Sequence, residues 1–310
     1  MENTRTKTTR NSLILLLTAA IWGMAFVSQS KGMDYMHPFT FNGVRSLIGA
    51  ASILVYILIS RKIAGDKAAS LDWKLSVKAG LLCGIFLTIA STLQQFGIKY
   101  TSVGKAGFIT TLYIIFVPMF GIFLKKKVAP VVWAAAVMAA VGMYLLCMTE
   151  SLRLGAGDIM VFLCAIAFAI QIMTVDHYAA RIDGAVVSCI QFTVCGVVCC
   201  IGALIWGQPT FGQLQEGLGA LLYAGVLSCG VGYTLQIVGQ KGLNPTVAAL
   251  IMSLESVIAT ISGWIAYKIG FLTTDQTLTA RQIAGCVIVF AAVILVQLPP
   301  EWFRFGKKNA

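Results

Sequence analysis

This 310-residue sequence has little charge: 11% of its residues are Asp, Glu, Lys or Arg, against 58% hydrophobic residues. Soluble domains carry about 25% charged residues because their surfaces face water. A water-soluble globular protein is therefore excluded, and so is a disordered chain, which needs low hydrophobicity and high charge. The mean hydropathy of +0.85 predicts an integral membrane protein.

Acidic residues and histidines are also scarce, since 12 acids and two His stand against 23 Lys and Arg. The basic residues lie in short segments between apolar runs, whereas a nucleic-acid-binding domain gathers them on one face. We therefore expect no nucleic-acid partner. The nine cysteines are odd in number, lie in apolar runs and lack metal-ligand spacing. We interpret them as packing residues and expect no disulfide frame, metal or cofactor.

Long apolar runs are what the sequence has in abundance. A membrane-spanning helix needs about 20 mostly apolar residues, and ten such spans occur. They are residues 12–30, 39–60, 77–98, 105–124, 128–148, 155–174, 185–206, 217–238, 245–268 and 280–298. The first span alone would pass for a signal peptide, but nine further spans favour its retention as a helix.

The distribution of Lys and Arg predicts the orientation. Sixteen of the 23 basic residues lie in the N-terminal tail, the even-numbered loops and the C-terminal tail, and six lie in the odd-numbered loops. Because positively charged loops stay in the cytoplasm, both termini are expected there. The chain then consists of a cytoplasmic tail (1–11), the spans, and a second cytoplasmic tail (299–310).

An internal repeat divides the ten spans into two halves. Residues 92–121 align without gaps to residues 234–263, a shift of 142, with nine identities in 30 positions. The same shift places Gln29 on Gln171. Matched polar positions at one constant shift argue against a chance similarity between apolar runs. The repeats are predicted at 12–148 and 155–298.

Each repeat contains five spans, and an odd number makes the second copy enter the membrane from the opposite side. Inverted repeats are typical of secondary transporters, in which the two halves enclose a site near the middle of the bilayer. The predicted fold is an all-α integral membrane protein with ten transmembrane helices, arranged as two inverted five-helix repeats around a central cavity.

Local patterns add a family resemblance. Span 1 contains AAIWGMAFVSQSKG, and span 2 has Pro38 and Phe39 followed by Arg45. The runs YTSVGKAGFITTLYIIFVP and LNPTVAALIMSLES lie at the junctions of spans 3–4 and 8–9. These patterns resemble the drug/metabolite transporter superfamily, specifically its EamA branch of ten-helix carriers. The resemblance implies a non-enzymatic carrier in a bacterial plasma membrane that exports small metabolites, amino acids or drugs by alternating access.

The chain departs from the family pattern at three places. The family often has Glu-Pro in spans 4 and 9, whereas this chain has Tyr113-Ile114 in span 4 and Glu255-Ser256 in span 9. The acidic residue usual after span 4 is replaced by the segment Lys125–Lys127. Ion coupling through paired family glutamates is therefore not expected from the first half.

Glu255 is the one acid deep inside a span, ten residues from the start of span 9 and thus about 15 Å along it. A charged group at the bilayer centre costs about 2.5–3.5 kcal/mol on insertion scales, so it usually faces a cavity or a partner. Two interpretations are open. Glu255 either binds an amine or carries a proton, or it is a protonated acid that bonds a neighbouring helix.

Arg45 is the one deep cation, six residues beyond Phe39. It is within snorkelling reach of the outer interface, so a structural role and a substrate contact are equally open. Its counterpart in the second repeat is Gln191, after a four-residue change in shift.

Polar and aromatic side chains at matched places in the two halves complete the predicted site. The candidates for the cavity lining are Trp22, Phe26, Gln29, Asn42, Arg45, Gln94, Gln95, Thr111, Tyr113, Gln171, Gln191, Gln236, Ser253 and Glu255. The best candidates among the amides are the pairs Gln94 with Gln236 and Gln29 with Gln171. For the amides the alternative is interhelical hydrogen bonding, and for the aromatic residues it is packing.

Three classes of function remain after these steps. The leading one is a secondary active or facilitative transporter with a small-molecule substrate, with proton exchange and passive facilitation both open. The second is a nucleotide-sugar or phosphate-ester carrier of the same superfamily, which would need paired Lys or Arg in its cavity. The third is a polytopic membrane enzyme, which would need clustered His, Asp or metal ligands. The substrate and the oligomeric state do not follow from the sequence.

Overall fold

The computed structural model of the chain describes residues 4–64, 72–124, 129–147, 155–273 and 275–297. The tail 299–310 and the segment Lys125–Lys127 lie outside these ranges. All regular structure in the described residues is helical. The helices are α1 (Thr4–Gly32), α2 (Pro38–Ala64), α3 (Trp73–Ile98), α4 (Val103–Thr111), α5 (Tyr113–Phe123), α6 (Pro130–Cys147), α7 (Ala156–Tyr178), α8 (Gly184–Gly202), α9 (Phe211–Glu216), α10 (Leu218–Leu222), α11 (Tyr233–Gln240), α12 (Pro245–Met252), α13 (Glu255–Lys268) and α14 (Ala280–Gln297).

Eight helical segments, each made of one or more of these helices, are long and apolar enough to cross a membrane. We call these segments rods. Some rods combine several elements, since the π-helix Ala203–Gly207 continues α8 and the π-helix Tyr223–Gly232 joins α10 to α11. The apolar helices Pro130–Leu145 and Ala280–Leu295 are shorter. The all-helical fold with two repeats is confirmed, while the expected count of ten crossings is not established by helix length.

Two of the rods are interrupted at matching positions. Helix α4 ends at Thr111 and α5 begins at Tyr113, so that Leu112 marks the break. In the second repeat α12 ends at Met252 and α13 begins at Glu255. The two breaks differ by the repeat shift of 142 residues. Discontinuous helices at the middle of a membrane protein are typical of transporter binding sites.

Pro118 lies inside α5, six residues beyond Leu112, and removes one backbone hydrogen bond there. Both breaks carry a hydroxyl side chain bonded to its own helix. Thr111 Oγ1 donates to the Phe108 carbonyl at 2.9 Å, and its repeat counterpart Ser253 Oγ donates to the Leu250 carbonyl at 2.7 Å. Such bonds compete with the helical ladder and bend it.

The starts of α4 and α12 also match. Ser102 Oγ accepts a hydrogen bond from the Lys105 amide at 3.3 Å, and Asn244 Oδ1 accepts one from the Thr246 amide at 2.9 Å. Ser102 and Asn244 are separated by 142 residues, and both residue types are favoured at helix N-caps. The repeat therefore extends to the local signals that start each helix.

Helix contacts show that the repeats are inverted. A Cβ at Gly97, near the end of α3, would lie 2.8 Å from the Gly157 carbonyl at the start of α7. A Cβ at its counterpart Gly239, near the end of α11, would lie 3.2 Å from the Asn11 carbonyl in the first part of α1. Since the start of α1 and the end of α3 lie at opposite ends of the bundle, the two junctions lie there too.

Equivalent helices of the two repeats pack directly against each other, with glycines at the contacts. A Cβ at Gly43 of α2 would lie 2.9 Å from the Cys200 amide of α8, and one at Gly142 of α6 would lie 2.9 Å from the Gly285 carbonyl of α14. Between the non-equivalent helices α3 and α8, a Cβ at Gly84 would lie 3.2 Å from the Cα of Gln191. Small residues let backbones approach closely where dispersion forces drive helix association.

Polar and apolar surfaces are distributed as a membrane environment requires. Leu54, Tyr56 and Phe123 are among many exposed apolar side chains, whereas Gln95, Gln171 and other amides are fully buried. Lipid solvates the apolar exterior and cannot satisfy polar groups, which bond inside the bundle.

One ion pair joins the two repeats at the end of the bundle where α3 ends. Lys105 Nζ lies 2.6 Å from Asp158 Oδ2, and the same oxygen accepts the Gly155 amide at 2.8 Å. Thr101 Oγ1 donates to Asp158 Oδ1 at 2.9 Å. Asp158 is buried, and these bonds compensate its desolvation. The loop after α3 is thereby fixed to the start of α7.

The glycine contact between α2 and α8 predicts the effect of a single methyl group. We expect Gly43→Ala to lower the free energy of unfolding by about 1–3 kcal/mol, because the added Cβ meets backbone atoms that cannot rotate away. Gly212→Ala is the matched control, since a Cβ there meets nothing within 4 Å. Thermal unfolding of both variants in detergent measures the difference. Equal melting temperatures would contradict the close contact.

Candidate functional site

A cavity lies at the centre of the bundle, where the interrupted rods of the two repeats meet. Helices from both halves contribute to its wall, and the wall includes the break residues Tyr113 and Glu255. The lining residues are Trp22, Phe26, Gln29, Asn42, Arg45, Leu87, Ser91, Gln94, Thr110, Tyr113, Phe168, Gln171, Ile172, Phe192, Ser228, Cys229, Tyr233, Gln236 and Glu255.

The cavity is shared by equivalent residues of the two repeats. At the shift of 142, six pairs of lining residues correspond. The pairs are Phe26 with Phe168, Gln29 with Gln171, Leu87 with Cys229, Ser91 with Tyr233, Gln94 with Gln236, and Tyr113 with Glu255. The pseudo-twofold axis therefore passes through the cavity, as expected for a site between inverted repeats.

Tyr113 and Glu255 bond to each other across this axis. Tyr113 Oη donates to Glu255 Oε1 at 3.0 Å, and both side chains are almost completely buried. Each residue is the first of its half-helix. The free backbone N–H groups at a helix start favour an acceptor or a negative charge nearby. The bond connects the repeats at the two helix breaks.

Arg45 lies in the wall of the cavity and does not extend to the interface, as snorkelling would require. It is 5% exposed, and its Nε donates to Asn42 Oδ1 at 3.0 Å. Its guanidinium carbon lies 5.6 Å from the centre of the Phe41 ring. Asn42 in turn donates to Ser91 Oγ at 3.0 Å. Arg45 is thus held in position at the cavity, in the interior of the helix bundle, where a cation is costly in a membrane protein.

The amides of the second repeat form a hydrogen-bonded chain. Gln236 Nε2 donates to Gln171 Oε1 at 3.3 Å, and Gln171 Nε2 approaches Gln191 Oε1 at 3.5 Å. In the first repeat Gln94 Nε2 donates to Thr110 Oγ1 at 3.2 Å. All four members of the two amide pairs singled out from the sequence line the cavity. Some of their hydrogen-bonding capacity is used in bonds between helices.

Four of the candidate residues lie outside the lining. Thr111 Oγ1 donates to the Phe108 carbonyl of its own helix at 2.9 Å, and the neighbouring Thr110 lines the cavity instead. Ser253 bonds the carbonyl one turn before it. Gln95 Nε2 donates to the Gln29 carbonyl at 3.3 Å, and Gln191 lies behind Gln171. Proximity in sequence to a lining residue did not indicate which face of the helix each side chain occupies.

An aromatic wall was only partly anticipated from the sequence. Trp22 and Tyr233 have ring centres 4.5 Å apart, and Phe192 meets Tyr233 edge to face at 4.9 Å. Phe168 was identifiable as the counterpart of Phe26. Tyr233 was not, because its counterpart Ser91 is not aromatic.

The π-helix Tyr223–Gly232 brings Ser228 and Cys229 to the cavity. π-Helical turns widen a helix and are frequent at functional sites. A Cβ at Gly225 would lie 2.9 Å from the Arg45 carbonyl, and one at Gly232 would lie 2.6 Å from Trp22 Nε1. The segment therefore fits tightly against both α2 and α1 and helps to position Arg45.

The cavity is narrow, with a volume of about 30 Å³, which is the room of roughly one water molecule. A metabolite therefore fits only after helices move apart. In the described residues, no group of three or more His, Cys, Asp or Glu side chains is placed to hold a metal ion.

Comparison with known families decides the class of the protein. The model of the EamA-like transporter family matches residues 10–148 and again residues 155–298. The chain belongs to the EamA-like transporter family. The two matches fall on the two repeats, so this EamA-like chain contains the family unit twice.

The EamA-like chain is also similar to several proteins described as uncharacterized transporters. One from Archaeoglobus fulgidus is 27% identical over 290 residues, covering 92% of this chain and 84% of the relative. YwfM from Bacillus subtilis is 24% identical and covers 94% of each chain. A further relative from Clostridium kluyveri is 22% identical and covers 91% of each chain. These relatives support transport as the general function.

A crystal structure of similar fold supports the architecture. It superimposes with a TM-score of 0.73 at 16% sequence identity, covering 96% of the EamA-like chain and 99% of the other. At this identity the likeness concerns the fold alone.

The Tyr113–Glu255 bond predicts that the two side chains can exchange places. The single variants Tyr113→Glu and Glu255→Tyr each break the pair, whereas the double variant of this EamA-like chain restores a phenol opposite a carboxyl. We expect a coupling energy of about 0.5–3 kcal/mol in a double-mutant cycle. Thermal unfolding in detergent measures it. Strictly additive effects would contradict a direct bond at a symmetric position.

Proposed function

We propose that this chain is a carrier that moves a small zwitterionic metabolite, such as an amino acid, by alternating access. The observation that carries the proposal is a cavity on the repeat axis with one cation and one acid in its wall, Arg45 and Glu255. A guanidinium matches a carboxylate, and a carboxylate matches an ammonium group. The ring of aromatic and aliphatic side chains suits an apolar substituent.

Alternating access follows from the symmetry of the site. Because the repeats are inverted, exchanging their conformations would close one side of the cavity and open the other. The breaks at Leu112 and Leu254 give each repeat a point at which half-helices can tilt. We propose export as the direction, on the basis of the family resemblance alone.

The orientation and location belong to the same proposal. The excess of Lys and Arg in the tails and even-numbered loops supports cytoplasmic termini. The end of the bundle at which α1 begins would then face the cytoplasm, in the plasma membrane of a bacterial cell.

The alternative substrates are less well matched. A nucleotide sugar or phosphate ester carries two or more negative charges and would need paired cations. Among the described lining residues, Arg45 is the one Lys or Arg. The proposal therefore keeps a substrate of no net charge as the better match.

The charge pair predicts which chemical groups are recognised. We expect phenylalanine to raise the melting temperature of the purified protein more than phenethylamine, which lacks the carboxylate, or 3-phenylpropanoate, which lacks the amine. A ligand at 100 times its Kd stabilises by about 2.7 kcal/mol. Other amino acids with apolar side chains extend the comparison.

Single variants test which side chain recognises the carboxylate of the ligand and which recognises its amine. Arg45→Gln should abolish the advantage of the carboxylate and Glu255→Gln that of the amine, while Arg61→Gln, an exposed residue at the end of α2, should change neither. Equal responses to all three compounds in every variant would overturn the zwitterion proposal.

Proton coupling through Glu255 gives a separate prediction. If the acid exchanges a proton for substrate, a pH gradient across proteoliposomes should accelerate flux of labelled substrate, because a charged buried carboxyl is costly to move. Glu255→Gln should remove this acceleration, and Glu216→Gln, an exposed residue of α9, should retain it. Unchanged pH dependence in Glu255→Gln would overturn Glu255 as the proton carrier, and a wild-type flux that does not respond to the pH gradient would indicate facilitated diffusion.

A further inference from the structure

Buried amide and hydroxyl groups without hydrogen-bond partners continue beyond the cavity toward the end of the bundle where α1 begins. Gln240 is 1% exposed, and neither its Oε1 nor its Nε2 bonds to any described residue. Gln236 Oε1, Gln191 Nε2 and Ser188 Oγ are likewise buried without a partner among the described residues.

These groups follow one another along two helices that touch. Gln240 lies one turn beyond Gln236 on the same face of α11, about 6 Å along the axis. Ser188 lies one turn before Gln191 on α8, in the direction of the same end. A Cβ at Gly184, the first residue of α8, would lie 3.0 Å from Ile237 Cγ2 of α11. The two helices are therefore in contact at this depth.

The central amides connect this track to the cavity. The chain of bonds from Gln236 through Gln171 to Gln191 crosses from α11 to α8. Gln236 and Gln171 line the cavity, and Gln191 lies behind them. At the other end, Gln240 is followed by Lys241, which is only partly buried and whose Nζ bonds the Ile182 carbonyl at 3.4 Å.

Unpartnered polar groups in a membrane interior need an occupant. Each buried amide or hydroxyl left without a hydrogen bond costs about 1–3 kcal/mol. Several that lie close together are met by internal water, which makes two to four hydrogen bonds to such groups. An apolar molecule would offer no hydrogen bonds to these groups and would leave the desolvation cost uncompensated.

The opposite half of the cavity differs at the equivalent position. The repeat counterpart of Gln240 is Ile98, which lies in an apolar cluster with Phe26, Val27 and Val103. Gln29, Gln95 and Thr40 also carry unpartnered oxygens. Gln29 lines the cavity, Gln95 is next to the lining residue Gln94, and Thr40 lies near the start of α2. The polar track toward the α1-start end runs beside an apolar cluster that includes Val187 and Ile237, and the other half differs in having the apolar Ile98 at the position of Gln240.

We propose that Gln240, Gln236, Gln191 and Ser188 bind a file of internal water molecules, and that this hydrated track is the route between the central cavity and the end of the bundle where α1 begins. The route is part of the alternating-access function proposed above, and in the proposed orientation it leads to the cytoplasm. Substrate and water would enter or leave between α8 and α11.

Site-resolved thiol labelling tests the route without any transport measurement. Gln240→Cys is treated with a membrane-impermeant maleimide in vesicles of each orientation, and peptide mass spectrometry follows residue 240 separately from the nine native cysteines. Ile98→Cys is the matched control at the equivalent depth of the other repeat. Both variants are first checked for wild-type melting temperature.

We expect Gln240→Cys to react from the α1-start side at least about tenfold faster than Ile98→Cys reacts from either side, a ratio equal to about 1.4 kcal/mol in the barrier. Rates within twofold of each other, or protection of residue 240 from both sides, would overturn the proposal. The side from which residue 240 reacts also reports the orientation of the chain.

A swap provides a second arm if cysteine at position 240 disturbs folding. Gln240→Ile closes the track, and Gln240→Ile combined with Ile98→Gln moves the polar group to the other half. We expect Gln240→Ile to slow flux severalfold while the melting-temperature response to bound substrate is retained, and Gln240→Asn to keep most of the flux. Wild-type flux in Gln240→Ile would overturn the proposal.

The outcomes separate this inference from the proposed function. Labelling does not depend on a substrate, so fast labelling of residue 240 in a protein that moves no amino acid would contradict only the substrate proposal. Slow labelling in an active carrier would contradict only the hydrated route.

Discussion

The hydrogen bond between Tyr113 and Glu255 is the interaction on which the centre of the molecule depends. It lies on the axis that relates the two repeats, and each partner begins a half-helix immediately after a break. Hydrocarbon around the bundle offers no alternative partner for either side chain, so the bond is favoured inside. Helix breaks and cavity therefore occur at one place. An apolar pair at these positions would pack the breaks but would remove the polar bond between them.

Much of the fold could be predicted because the membrane imposes strong constraints on sequence. Long apolar runs must be helical in lipid, and the constant shift of 142 residues places equivalent helices around an axis. The helix breaks were not predicted, since Thr111 and Ser253 are both compatible with continuous helix and their bonds to the carbonyls three residues earlier are seen only in the structure. Within the described residues, α6 covers Pro130–Cys147 of the predicted span 128–148, and α14 covers Ala280–Gln297 of the predicted span 280–298.

The site could be predicted where the repeats kept the same residue. Gln94 with Gln236 and Gln29 with Gln171 were found because identical amides recur at the repeat shift. Tyr233 was missed because its counterpart had diverged to Ser91. Thr111 was preferred to Thr110, although Thr110 lines the cavity and Thr111 Oγ1 bonds the Phe108 carbonyl of its own helix. Sequence symmetry identifies depth in the membrane more reliably than it identifies direction around a helix.

The unequal pair at the axis also limits the number of carboxyl groups at this position. A carrier with a glutamate in both repeats has two equivalent carboxyls on its axis and can hold two protons or two amines there. In this chain the first of the two positions is Tyr113, which leaves the single carboxyl of Glu255. The pair therefore supplies one carboxyl where two glutamates would supply two. Conversion of the Tyr position to an acid would be the step that changes this number from one to two.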